Sequence, residues 1–161
     1  VSTIMASSAA ELKPKLEKMK ESLHLSEKEA QELRNQLAHQ TFRTFLEELK
    51  QVEGVPYLTA IIPDSDMDTL RQLTDEFRQQ HQSGIVVLGS QKDGKPSLIA
   101  AVTPDLIKRG LKAGDLIRRI AAIIGGGGGG RPDLAQAGGK DAAKLSEALD
   151  QVPQYIREIL K

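Results

Sequence analysis

Six consecutive glycines, Gly125, Gly126, Gly127, Gly128, Gly129 and Gly130, are the residues of this chain best suited to holding a ligand. Glycine loses more backbone freedom on folding than any other residue. A run of six in an ordered domain therefore implies either a loose linker or a backbone that visits φ > 0 and passes close to something. A linker would be richer in Ser and would not have apolar helical patterns tight on both sides. The flanks, Leu116–Ile124 before and Ala142–Leu149 after, favour an anion site. There, successive N–H groups form a nest and the next helix adds its positive end. Arg131 and Lys140 supply full charges at the two ends of this loop. A phosphate loop of the Walker type needs Lys then Ser or Thr after its last Gly, and neither Arg131-Pro132 nor Lys140-Asp141 complies. The glycine run comes after a helical pattern and not a strand, which argues against a dinucleotide fold as well.

Little else offers chemistry. His24, His39 and His81 are the only histidines, no two at metal-ligand spacing, and the chain has no cysteine. Each reads as a helix-surface residue. Asp64, Asp66 and Asp68 alternate, but acidic residues suit the first turn of a helix, and the offsets of a calcium loop are absent. Formal net charge is zero, which is not the signature of a strongly basic nucleic-acid binder. The distribution is uneven, however. From Pro104 to Lys140 the cations Lys108, Arg109, Lys112, Arg118, Arg119, Arg131 and Lys140 outnumber Asp105, Asp115 and Asp133. Lys108, Arg109, Arg118 and Arg119 thereby become candidates for phosphate contacts beside the glycines.

The elements that must position these residues are set by the apolar pattern. Pro14 is placed to open a helix. Leu16, Met19, Leu23, Ser26, Ala30, Leu33 and Leu37 then recur at heptad spacing. Ser26 and Glu29 form a capping-box pattern, so a break near Leu25 is expected. Phe42, Phe45, Leu46, Leu49 and Val52 shift phase and predict a second helix ending before Gly54. The two helices either fold as a hairpin or form a coiled coil with another chain. So much exposed leucine demands a cover, and Leu16, Met19, Leu23, Leu33 and Leu37 are the candidate dimerisation residues. Strands are predicted at Tyr57–Ile62, Ile85–Leu88 and Ser97–Thr103. The first two are joined by a helix capped by Ser65, which implies a parallel crossover, and the last two by a turn at Asp93-Gly94. A short helix from Pro104, capped by Thr103, stops at Gly110, and another from Asp115 leads into the glycines. Pro153 interrupts the C-terminal helical stripe. The expected fold is an α/β (α+β) domain, a small mixed sheet with flanking helices, over residues 54–161. A helical, coiled-coil-like or hairpin subdomain over 14–53 precedes it. Residues 1–13 are expected to be leader or linker, because Val1 is not an initiator Met and the chain looks excised from a longer one. No stretch is apolar for the length of a membrane helix.

Gly125–Gly130 with Arg131-Pro132-Asp133, Ala135-Gln136-Ala137 and Gly138-Gly139-Lys140-Asp141 closely resembles the signature of the C-terminal domain of alanyl-tRNA synthetases. That domain is related to the DHH-associated domain of DHH-family phosphoesterases. The likeness continues back through Ile85–Leu88, Asp93-Gly94-Lys95 and Ile99–Thr103 and covers the chain from about Pro14 to Lys161. The resemblance implies a non-catalytic module that binds the elbow of tRNA(Ala), supports a homodimer through its helices and links aminoacylation with editing. It adds Gln136, Gly138 and Gly139 to the tRNA-binding set. It implies a cytoplasmic parent ligase whose other domains use ATP, Mg and Zn, with no cofactor in this piece. The family's zinc editing motif, its ATP-binding motifs and the Asp-His-His motif of the phosphoesterases have no counterpart here. Two alternatives stand beside this reading. One is a phosphate-ligand domain of a DHH-type phosphoesterase, although Arg131 stands where those relatives usually carry His. The other is a purely structural dimerisation module.

Overall fold

The computed structural model describes the backbone of residues 2–161 and the side chains of residues 9–161. It divides into two compact units, Val1–Gln36 and Leu37–Lys161. The first is made of most of helix α1, which runs unbroken from Ser2 to Leu46. Three expectations are corrected here. Residues 2–13, expected to be leader or linker, are helical, with Pro14 inside the helix and not at its start. The break near Leu25 is absent, since Lys15–Thr41 contains neither Gly nor Pro and is rich in strong helix formers. The second helix does not form: α1 ends at Leu46 and Lys50–Val52 is strand β1. Ala38 and Phe42, 2% and 0% exposed, belong to the core of the second unit, so that unit begins before residue 54.

The second unit is built on a six-stranded mixed sheet in the order β1-β2-β3-β4-β6-β5. β2 (Val55–Ile61) and β3 (Ile85–Lys92) are parallel and joined through α2 (Met67–Gln80). β4 (Lys95–Val102) returns antiparallel through Asp93 and Gly94. Both turn residues have positive φ (53° and 75°), the backbone that a two-residue hairpin of right-twisted strands requires. Alternation in the strands sends two apolar sets to two faces. Val87, Leu98, Ala100, Ala135 and Ala137 meet α4 (Ala113–Ile123), α5 (Leu145–Asp150) and α6 (Val152–Leu160). Leu58, Val86, Leu88 and Ile99 meet Leu70, Leu73 and Phe77 of α2 and Phe42 of α1. Pro153 sits in the first turn of α6, where its missing N–H costs nothing.

Two caps differ from expectation. Asp66, not Ser65, caps α2, with Oδ1 accepting from the Thr69 N–H at 2.8 Å. That hydrogen bond holds the Asp66 carboxyl below its ordinary pKa. Thr103 precedes α3 (Pro104–Lys108) without a side-chain cap. Its hydroxyl accepts from the Gly84 N–H and donates to Asp105, so it ties the start of β3 to α3 instead.

Candidate nucleic-acid interface

The glycine run is not a loop before a helix. Gly125, at φ +68°, and Gly126 turn the chain out of α4, and Gly127–Gly130 form strand β5. β5 pairs antiparallel with β6 (Leu134–Gly138), placing Gly127 opposite Gly138 and Gly129 opposite Gln136. The run thus leads into a second strand and not into the N-terminus of a following helix. The expected nest gives way to a side-chain-free strand at the open edge of the sheet. Gly127, Gly128 and Gly130 are exposed and Gly129 is half-buried.

Steric demand explains only part of the run. A Cβ on Gly126 would lie 1.8 Å from the Gly138 carbonyl oxygen. One on Gly128 would meet the Gln136 oxygen at 2.3 Å, and one on Gly130 the Leu134 oxygen at 2.6 Å. Gly139 is closed in the same way by Ile124, at 2.5 Å. Helix α4 approaches closely too: a Cβ on Gly114 would stand 2.9 Å from the Gly130 oxygen, and the Ala113 N–H donates to Pro132. Gly127, by contrast, has nothing within 4 Å of a built Cβ, and Gly129 and Gly138 have only contacts at 3.8 and 3.9 Å. Packing does not require glycine at those three positions, yet they lie on the bare edge hairpin.

The predicted cations fall into two groups. Arg118 lies beside the strand, its Nε 3.8 Å from where a Gly129 Cβ would be, and pairs with Asp115 at 2.8 Å. Arg131 comes directly after the strand and pairs with Asp133 at 3.2 Å. Lys140 is exposed at the other end, its backbone N–H donating to the Ile124 oxygen and its Cβ 3.9 Å from a Cβ built on Gly125. Gln136, Gly138 and Gly139 belong to or adjoin β6, against the glycines. Arg119 is engaged elsewhere. It holds Glu158 of α6 through two hydrogen bonds, and this pulls the Glu158 carboxyl down to about 2. Lys108 and Arg109 end α3, where the adjoining Gly110 packs on Ile159 of α6. They line neither groove beside the glycine strand.

Two basic residues outside the predicted set do line those grooves. Lys112 stands with Gly114, Arg118, Gly130 and Pro132 around a hollow of roughly 190 Å³. Arg71 of α2 stands with Gly129, Arg131, Leu134 and Gln136 around another of roughly 370 Å³. Local charge counting includes Lys112 without singling it out. Arg71 gives no local signal, because only sheet pairing brings α2 beside β6. The candidate dimerisation residues Leu16, Met19, Leu23, Leu33 and Leu37 are 47–67% exposed along α1. Among the described residues no cluster of His, Asp or Glu is arranged to hold a metal, and no helix is long and apolar enough to cross a membrane.

Residues 54–158 match the DHHA1 domain family. An alanine--tRNA ligase of Oceanobacillus iheyensis is 38% identical over 157 residues, covering 98% of this chain and 18% of the relative. One of Desulfitobacterium hafniense is 46% identical over 130 residues, covering 81% of this chain and 15% of the relative. The chain thus spans less than a fifth of the length of these curated relatives. Among solved structures, the C-Ala domain of Aquifex aeolicus alanyl-tRNA synthetase superposes with a TM-score of 0.61 at 30% identity. The match takes in 70% of this chain and 96% of that one.

Proposed function

The chain belongs to the DHHA1 domain family, in the branch formed by the C-terminal region of alanyl-tRNA ligases, and from that premise we propose that it is a tRNA-binding and dimerisation module. It binds the elbow of tRNA(Ala), carries no bond-making groups of its own, and lets the aminoacylation and editing domains of one parent ligase share a tRNA. The parent works in the cytoplasm, with ATP, Mg and Zn held by its other domains. The observation that carries the reading is β5. A strand without side chains, at an open sheet edge, lets folded RNA approach the main chain, while Arg118, Arg131 and Lys140 stand around it. Cations around a bare backbone give sequence-independent, salt-sensitive affinity. Only 3% of residues are aromatic, so single-strand stacking is not the mode, and RNA shape and backbone are what is read. A homodimer forms through Leu16, Met19, Leu23, Leu33 and Leu37, whose apolar row on α1 otherwise faces solvent.

The test is a salt titration of tRNA(Ala) binding. Affinity falls as salt rises. The Arg131→Ala/Lys140→Ala double variant binds more weakly with a shallower salt slope, by roughly one unit for each phosphate that the variant no longer neutralises. Equal binding by wild type and double variant would remove the strand from the function.

A further inference from the structure

Arg71 and Gln136 are 65 positions apart, on α2 and β6, and they meet: Arg71 Nη2 donates to Gln136 Oε1 at 2.6 Å. A guanidinium has donors and no acceptor, so it can face only the oxygen of the amide. The amide NH2 of Gln136 is thereby turned away from Arg71, and it has no other partner among the described residues. Gln136 pairs with Gly129 in the β5–β6 ladder, so this NH2 stands beside the side-chain-free strand. Arg71 is also engaged on its own helix, with Nη1 3.4 Å from Asp68 Oδ1.

We propose that Gln136 reads an uncharged acceptor oxygen of the bound RNA, a ribose hydroxyl or a base carbonyl, through its amide NH2. Arg71 is the positioning residue that fixes which end of the amide faces the RNA. This inference rests on the tRNA-binding reading and adds to it a salt-independent contact. Phosphate contacts through Arg and Lys weaken as counterions compete, whereas a neutral amide donor releases no counterion. The amide also supplies directional recognition at a place where the neighbouring strand has no side chains to offer.

The experiment measures tRNA(Ala) affinity across a salt series for wild type, Gln136→Met, Arg71→Met, Arg71→Lys and the double methionine variant, with thermal melts to confirm folding. Both Arg71 and Gln136 are exposed, so the variants fold as wild type does. Gln136→Met and Arg71→Met each weaken binding about tenfold with the wild-type salt slope, about what one directional hydrogen bond contributes. The double variant is no worse than either single one, and Arg71→Lys, which restores a donor to Oε1, recovers most of the affinity. Interference mapping with 2′-deoxynucleotides identifies the oxygen. A position that interferes in wild type but not in Gln136→Met marks a ribose hydroxyl, and the lack of one marks a base oxygen. Undiminished binding by Gln136→Met overturns the proposal. So does a salt slope lowered by about one in Arg71→Met, which would make Arg71 itself a phosphate contact. If the wild-type chain fails to bind tRNA(Ala), the functional reading falls and takes this inference with it. If wild type binds and Gln136→Met binds equally, the functional reading stands and only this inference falls.

Discussion

At the scale of single residues, the glycines separate into two kinds that the sequence cannot distinguish. Gly128 is closed by the backbone and Cβ of β6, at 2.3 and 2.4 Å, whereas a Cβ on Gly127 would meet nothing within 4 Å. Gly128→Ala is expected to cost about 1–3 kcal/mol of stability, as other overpacked positions do. Gly127→Ala should change stability far less and reveal itself in tRNA affinity instead. Urea unfolding of both variants checks this, and equal destabilisation would refute the division. Charged residues divide in a similar way. The Arg119–Glu158 pair is structural, and its pH dependence has a definite sign. The Glu158 carboxyl lies near 2 in the folded chain against 4.5 ordinarily, so the stability it contributes is present above about pH 4.5. It disappears as pH falls through 2. The urea midpoint of Glu158→Gln should therefore trail wild type by a constant amount from about pH 5 to 8 and converge with it toward about pH 2. A gap that widened on acidification would contradict the assignment. Sequence-local charge places Arg119 next to Arg118 and cannot separate them. Helical rotation sends Arg118 to the glycine strand and Arg119 to α6.

At the scale of elements, α1 carries two kinds of apolar residue. Phe42 is fully buried among α2 and the sheet, and Leu33 is 64% exposed. Phe42→Ala should cost about 3–5 kcal/mol. Leu33→Ala should change the stability of the monomer by no more than about 0.5 kcal/mol, measured at protein concentrations too low for association. The phase shift after Leu37 is legible in the sequence, where it predicts a new helix. In the fold it marks the point where one helix passes from a seam outside the core to a face inside it. The strands are more legible than the helix ends. The predicted strands Ile85–Leu88 and Ser97–Thr103 hold continuous apolar runs around a turn that admits few residues; the first falls inside β3, and the second lies in β4 except for Thr103. β1 and β5 are not legible. β1 is a short edge strand with little alternation, and polyglycine has no side-chain period to read. The N-cap of α2 is misplaced by one residue from sequence because Ser65 and Asp66 are equally good caps by type. Ser65 is instead drawn into a bond between its N–H and the buried Ser90 hydroxyl.

At the scale of the molecule, the proposed function needs a bare sheet edge for RNA and a helical seam for a second copy. Light scattering over a range of concentrations should show a mass rising toward twice the 17.5 kDa chain. Substituting Leu16, Leu23 and Leu33 by Ser should abolish that rise without lowering the melting temperature of the dilute protein. A strictly monomeric wild type would remove the seam from the account. The family is legible because its motif is long and lies in one stretch of chain, so no folding is needed to assemble it. Composition, the apolar runs and the turn residues likewise determine a mixed sheet with flanking helices, since side-chain period and turn chemistry are local properties. Only the tertiary structure decides that the glycines form an edge strand, that Gly126, Gly128, Gly130 and Gly139 are sterically required, and that Arg71 and Lys112 belong beside them while Arg119 does not. Those facts depend on which backbone and which helix face come to lie within a few ångströms of each other. Such distances are set by the pairing of β6 with β4 and β5 and by the packing of α2 and α4, and no local spacing along the chain records them.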